Sequence, residues 1–495
     1  MASEEKTDSA TLKDTDPSQT SEGMEKAPKK YTKLFFQRPL SYNQANTFVF
    51  FHFMAVGLIQ GYYYAVQFNL QSNGATFEQQ SAYSLGNYPY ILKFLLAPFL
   101  DRYFFPWLGR SKTYVILGGM LIGAIFMFLG PTIQVMISEL EVGALAVLFT
   151  AVNVIVCIVQ MSAESWILTL YSNANKTKAT AFMNAGQILG GTIGNNVFTP
   201  LNDTEWLNEN WFPNNPRTSP LVTHSMFCFA IAIFYMAQAV VNLLFISEEL
   251  IVDKKAKNIC NILKIVPRHF TNRYVRNLIF YIYANRFIYF MVDSAFDLKL
   301  VKNGYYNISR SVLSNIDMGL FPIAFATSLL LIYYLRKGIL VKMFHLNMLI
   351  ILLNGGMRYL TYLNLTLDRS YYFALAGRIF TSLIAGSDFT VVILSSFFNT
   401  FVNEALGNTG ITCLLSLTNQ TIVLARTLGF ALLAYINFDV FAIVCIVLQI
   451  LINLGTYKFT RWFDRRDSRY FDISEPEVKD GDLPNDVDFD VKKKL

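Results

Sequence analysis

The chain has 495 residues, of which 53% are hydrophobic, 15% aromatic and 15% charged, with a formal net charge of +6. Soluble domains carry about 25% charged residues. With a mean hydropathy of +0.35, this composition excludes an ordinary soluble domain and points to a polytopic membrane protein. The small positive balance reads as loop charge, not as a nucleic-acid surface.

Residues 1–44 are polar, rich in Lys, Glu, Asp, Ser and Thr, and read as a disordered segment without a secretory signal. Apolar runs of spanning length follow at about 46–66, 79–100, 113–135, 142–171, 178–200 and 223–246. A basic linker holds Lys254, Lys255, Lys257, Lys264, Arg268 and Arg273. Six further runs lie at about 276–296, 311–335, 339–363, 371–396, 409–436 and 438–459. The expected organisation is a six-helix half over 45–246, a linker over 247–275, a second six-helix half over 276–460 and a tail over 461–495. Two such halves around a central cavity are the plan of an alternating-access transporter.

Basic residues gather before the first span and in alternate loops, whereas loops 67–78 and 136–141 carry none. The charge rule then puts both termini in the cytosol. Sequons at Asn202, Asn307 and Asn364 fall on the other side.

The most informative stretch is Asn87 to Val115. Lys93 lies in its apolar run, Asp101 closes it, and Gly109, Arg110, Ser111 and Lys112 open the next. An acid at a helix end opposes the dipole unless a cation or a helix N-terminus faces it. The expectation is a gate of Asp101, Gly109, Arg110 and Lys112, with Asp101 reaching the start of the eleventh span near Asn408 and Thr409. The eighth-to-ninth loop keeps basic residues, Arg336, Lys337 and Lys342, but lacks the acid.

This stretch resembles the loop between the second and third helices of the acetyl-coenzyme A transporter family, within the major facilitator superfamily. The residues that carry the resemblance are Lys93 to Pro98, Asp101, the spacer Phe104 to Leu108, and Gly109 to Lys112. Gln60-Gly61, Glu164 to Leu170, Asn184 to Gln187, Gly194-Asn195, Phe296 to Tyr305 and Asn399 to Leu415 extend it over about 46–460. One departure stands in the fourth span. The family has two acids there, and this chain has Gln160 at the first position and Glu164 at the second. The resemblance implies an all-α major facilitator fold of about twelve helices and transport of acetyl-coenzyme A from cytosol into the endoplasmic reticulum or Golgi lumen. Related permeases that carry sugar-peptide fragments with protons supply one alternative. A transporter-derived scaffold or sensor that moves nothing supplies another.

Polar stripes inside the spans give candidate binding residues. Asn153, Cys157, Gln160 and Glu164 share one helical face, as do Asn184, Gln187, Gly191 and Asn195. Intramembrane carboxylates face a cavity or a partner. Gly186, Gly190 and Gly194 repeat at the spacing that lets helices approach closely. The seventh span aligns Arg286, Phe290, Asp293 and Asp297. Lys93, Arg286, Arg358, Arg378 and Arg426 together suggest an anionic substrate, because guanidinium matches phosphate. Trp166 and Asn419 complete the substrate set, and Asn419 and Ser416 share a face with Arg426. Each charge also has a plain reading as an ion-pair partner in the bundle, and the many tyrosines read mostly as packing or interfacial residues.

The five cysteines and four histidines show no metal or disulfide spacing. No phosphate-binding loop, His-Glu-x-x-His or nucleophile elbow is present, so neither an enzyme, a cofactor nor a metal is expected. The chain ends in Lys492-Lys493-Lys494-Leu495, which resembles a dilysine retrieval signal. Its reader is a coat receptor facing a cytosolic tail. The expected partners are the bilayer, an anionic small molecule and that receptor.

Overall fold

The computed structural model describes residues 36–171, 176–249, 272–301, 308–334, 355–360 and 407–463, with single positions at 352, 353, 363 and 379. Of the expected spans, 371–396 apart from position 379 and most of 339–363 lie outside these residues, as do 250–271 of the linker and 464–495 of the tail. Among the described residues the secondary structure is helical, with two isolated bridges, Arg38 to Ile246 and Val301 to Ile308.

The helices are α1 (Tyr42–Ser72), α2 (Phe77–Ser84), α3 (Pro89–Arg102), α4 (Arg110–Ser138), α5 (Val142–Leu170), α6 (Lys176–Gly191), α7 (Phe198–Leu201), α8 (Thr204–Asn210), α9 (His224–Phe245), α10 (Arg273–Leu300), α11 (Arg310–Tyr334), α12 (Gly407–Leu433) and α13 (Phe438–Phe463). A 3-10 turn, Leu85–Asn87, joins α2 to α3, so the second expected span is broken in two. A π turn, Thr192–Val197, joins α6 to α7 inside the fifth. Among the described residues, five helices (α1, α4, α5, α9 and α13) are long and apolar enough by themselves to cross a bilayer. Helix α10 is long enough too, but Arg286, Asp293 and Asp297 along it lower its hydropathy. Charges at that depth have to face the inside of a bundle.

Local chemistry sets the boundaries. Ser41 with Gln44 and Thr76 with Gln79 form capping boxes at the starts of α1 and α2. Thr223 and Asn272 cap α9 and α10.

The first half is built on α1 against α6. A Cβ on Gly186, Gly190 or Gly194 would sit 2.2, 2.0 or 2.4 Å from the backbone oxygens of Phe50, Met54 and Leu58. A Cβ on Gly57 or Gly61 would strike the Gln187 or Gly191 oxygen at 2.1 or 2.3 Å. The glycines thus serve close helix approach, as their spacing suggests. Helix α4 packs on α5 and α9, and Tyr62, Phe126, Phe149 and Phe198 fill the core between them.

In the second half α10 packs on α12 and α13. The halves meet where α12 lies on α2 and α3, and where α11 lies on α6, the π turn and α7. At the end of the bundle away from the α3–α4 turn, Ser84 Oγ meets Thr427 Oγ1 at 2.7 Å. Asp203 Oδ2 there accepts from Ser311 Oγ at 2.5 Å and Ser309 Oγ at 3.3 Å. Asn202 lies beside that contact, its amide donating to the Val222 carbonyl at 3.0 Å.

Gly190→Val should drive a branched side chain into the Met54 carbonyl and destabilise the protein by about 1–3 kcal/mol or more. Gly143→Ala, where nothing lies within 4 Å of the added carbon, should stay within about 0.5 kcal/mol. Thermal unfolding of both in detergent checks the contrast.

Candidate functional site

The charged turn before α4 is held from within its own half. Gly109 has φ 102°, a left-handed conformation that favours glycine. A Cβ there would also lie 2.3 Å from Glu248 Oε2. Helix α4 therefore starts without a side-chain cap of its own. Glu248, just past α9, fills that role. Its two oxygens accept from the Ser111 and Lys112 backbone amides at 2.9 Å each. Such a carboxylate at a helix N-terminus satisfies free donors and the dipole together. Lys112 Nζ donates to the Ile246 carbonyl at 2.7 Å, and an Arg110 nitrogen to Ser165 Oγ at 2.9 Å. Burial pushes the Glu248 carboxyl above the ordinary carboxylate value, while the backbone donors and Arg110 pull it down. Asp101 stands in the last turn of α3, and its side chain, like those of Asn408 and Thr409, lies outside the described residues. The acid that demonstrably meets the turn is Glu248. Its sequence signal was an acid at the mouth of a span whose neighbouring turn has surplus cations.

Midway along the first half, Lys93 of α3 is 1% exposed and lies 3.8 Å from Glu164 Oε1 of α5. Gln160 Nε2 donates to the same oxygen at 2.9 Å. The other oxygen, Oε2, is buried with no hydrogen-bond partner among the described residues. One turn further toward the helix start comes Cys157, and beyond it Asn153, whose amide donates to the Gly86 carbonyl at 2.8 Å. The polar face of α5 thus looks at the broken second span. Trp166 lies in the core against Phe48, ring centroids 4.8 Å apart.

The second half gathers its charges around α10. Arg358 lies 2.6 Å from Asp293 Oδ1 and 3.4 Å from Asp297 Oδ1. Tyr289 donates to Asp293 at 3.2 Å. Arg286 is fully buried with its guanidinium 5.2 Å from the Phe290 ring centre. Arg426 of α12 donates to Ser294 Oγ at 2.7 Å and lies over the Tyr64 ring of α1 at 4.5 Å. That cation–π contact joins the halves. A second link joins them closer to the start of α12, from Tyr283 through Gln420 to the Ile91 carbonyl. Asn419 is half-buried beside it.

The expected surplus of buried cations is therefore largely offset. Glu164 faces Lys93, and Asp293 and Asp297 share Arg358, because an isolated charge in a low-dielectric interior is too costly to keep. Arg378, Lys492 and Lys493 lie outside the described residues. Sequence reasoning missed Glu248, Ser294 and Gln420. The last two are ordinary polar residues in apolar helices, and only the packing of α10, α12 and α3 singles them out.

On α6, Gln187 Nε2 donates to Gln60 Oε1 of α1 at 2.7 Å. Asn195 Nδ2 donates to Asn196 Oδ1 at 2.9 Å in the π turn. Asn184 stands one turn before Gln187 and is half-buried.

Residues 48–253 match the family model described as acetyl-coenzyme A transporter 1. The fold is that of major facilitator transporters. A human organic anion transporter superposes with a TM-score of 0.56 at 14% identity, covering 85% of this chain and 100% of that one. The E. coli fucose:proton symporter gives 0.54 at 14% identity, covering 86% and 100%. A proton:xylose symporter bound to 6-bromo-6-deoxy-D-glucose gives 0.54 at 13% identity, covering 85% and 97%. The family match over 48–253 and the apolar helices support a multi-pass membrane protein, and its fold is that of the major facilitator transporters.

Two predictions follow from the charge geometry. Glu248→Ala should orphan the Ser111 and Lys112 amides and cost about 1–3 kcal/mol, with Glu248→Gln costing less. A carboxyl raised in the folded state contributes fully to stability below its ordinary value and loses that contribution as pH rises through the raised one. The unfolding temperature of the wild type relative to Glu248→Gln should fall across that window. Arg358→Ala should leave Asp293 and Asp297 facing each other without a cation and cost about 3–5 kcal/mol. Adding Asp293→Asn should recover part of the loss in the same unfolding measurement.

Proposed function

We propose that the chain carries acetyl-coenzyme A from the cytosol into the lumen of the endoplasmic reticulum or Golgi by alternating access. In this reading 45–246 and 276–460 are the moving halves, 247–275 joins them, and both termini are cytosolic. The observation that carries the reading is the Arg426–Tyr64 contact, which sets a guanidinium and an aromatic ring together between the halves. A nucleotide thioester offers phosphates for the first and an adenine for the second. The match of 48–253 to the acetyl-coenzyme A transporter 1 model supports the same substrate. Lys93 and Arg286 are the further cations assigned to phosphate. Lys492 and Lys493 support retention in the endoplasmic reticulum through a coat receptor.

A second reading, coupling to a proton, is favoured by Glu164. Its Oε2 has no hydrogen-bond partner among the described residues, while Oε1 faces Lys93. An anion that takes Lys93 would leave this carboxylate without its cation.

The test is uptake of labelled acetyl-coenzyme A into proteoliposomes, with free coenzyme A as competitor. Arg426→Gln removes a charged hydrogen bond of about 1.5–3 kcal/mol, so half-saturation should rise about tenfold or more at normal reconstitution. Absence of flux in the wild type, or flux indifferent to coenzyme A, overturns the substrate.

A further inference from the structure

We propose that Asn184, Gln187 and Asn195 of the fifth span, with Gln60 of α1, form a recognition rail for an extended ligand that carries secondary amides. This deepens the reading above, which assigns the anionic end of the substrate to the cations but leaves its neutral length without partners.

Three observations support the rail. The first is chemical. Asn184 Nδ2 and Asn195 Oδ1 are buried, and neither has a hydrogen-bond partner among the described residues. Buried amide groups are nearly always satisfied. Here one end of the stripe presents a donor and the other an acceptor, and a secondary amide supplies the complement of each. Between them Gln187 and Gln60 bond to one another through one donor and one acceptor. All four side chains are neutral amides, so the stripe recognises dipoles and not charge.

The second is geometric. Gly186, Gly190 and Gly194 are pressed on the α1 backbone. Gln187, Gly191 and Asn195 each stand one residue further on, about 100° around the helix. They occupy the flank of the α1–α6 contact, where α11 of the other half packs on α6 and the π turn. The surface is covered in this arrangement and becomes open when α11 moves away, which is what an alternating-access cycle requires.

The third is the π turn itself. It inserts a wider turn at Thr192–Val197, where Asn195 sits. Such turns recur at functional positions. Gly194 wedges it against Leu58, so Asn195 is held on a fixed backbone.

Length selects the ligand. Asn184 and Asn195 are roughly 16 Å apart along the axis at the usual rise per residue. A single sugar ring does not span that, whereas a chain with amides at several points does. Both the pantetheine arm of coenzyme A and a short peptide have this chemistry.

The experiment uses the full chain in nanodiscs and measures binding of three probes: pantetheine, capped trialanine and adenosine 3′,5′-bisphosphate. The wild type should bind at least one amide probe. Asn184→Leu and Asn195→Leu should each weaken that binding about tenfold, while bisphosphate binding stays within about twofold. The amide probe that binds identifies the source, arm or peptide. If the leucine variants do not fold, Asn184→Ala and Asn195→Ala are read instead. The rail is overturned if the wild type binds neither amide probe, or if the variants bind it unchanged. A wild type that binds pantetheine but not the bisphosphate upholds the rail and overturns the anionic substrate.

Discussion

The bundle depends on one constraint: a charge inside a bilayer protein has to find its opposite within the protein. Nothing else in the hydrocarbon region can solvate it. This decides the pairing of α3 with α5 through Lys93 and Glu164. It also decides how Arg358 is clasped by two carboxylates of α10. Arg426 has a softer arrangement, a hydroxyl on one side and a ring of the other half beneath it. The ion pairs of Lys93 and Arg358 lie within a half, whereas the halves are joined by the Arg426–Tyr64 contact and, at one end, by the hydrogen bonds of Asp203 to Ser309 and Ser311. Two bundles that move relative to one another have to exchange such contacts at their interface.

The fold was largely legible in the sequence because its two strongest signals are local. Apolar length fixed the spans, and the expected 113–135 and 223–246 appear as Arg110–Ser138 and His224–Phe245. Glycine spacing fixed one interface, since a Cβ at any of the three positions would lie only 2.0–2.4 Å from an α1 carbonyl oxygen. The breaks were less legible. Nothing in the Tyr83–Tyr88 run announces a 3-10 turn, and the π turn follows from how α6 fits α1 rather than from its own residues.

The candidate site was legible as a list of residue types, not as a set of partners. Lys93 and Glu164 stand far apart in the chain, and their pairing follows from helix packing that no local pattern encodes. The charged turn shows the same limit. Its cations were plain, but the acid that takes the Ser111 and Lys112 amides lies 137 positions from Ser111, and sequence proximity is the only distance a sequence displays.

Glu248 has a second identity. It is the first acid beyond α9, at the threshold of the segment that leads to the other half. Lys112 reaches the Ile246 carbonyl, and the Arg38 backbone pairs with Phe245 and Ser247 on the same short stretch. The strand entering the first half and the strand leaving it are thus stitched together over the start of α4. The chain leaving α9 thus begins as the cap of another transmembrane helix, so the exit of α9 and the start of α4 form one unit, and neither can shift without the other.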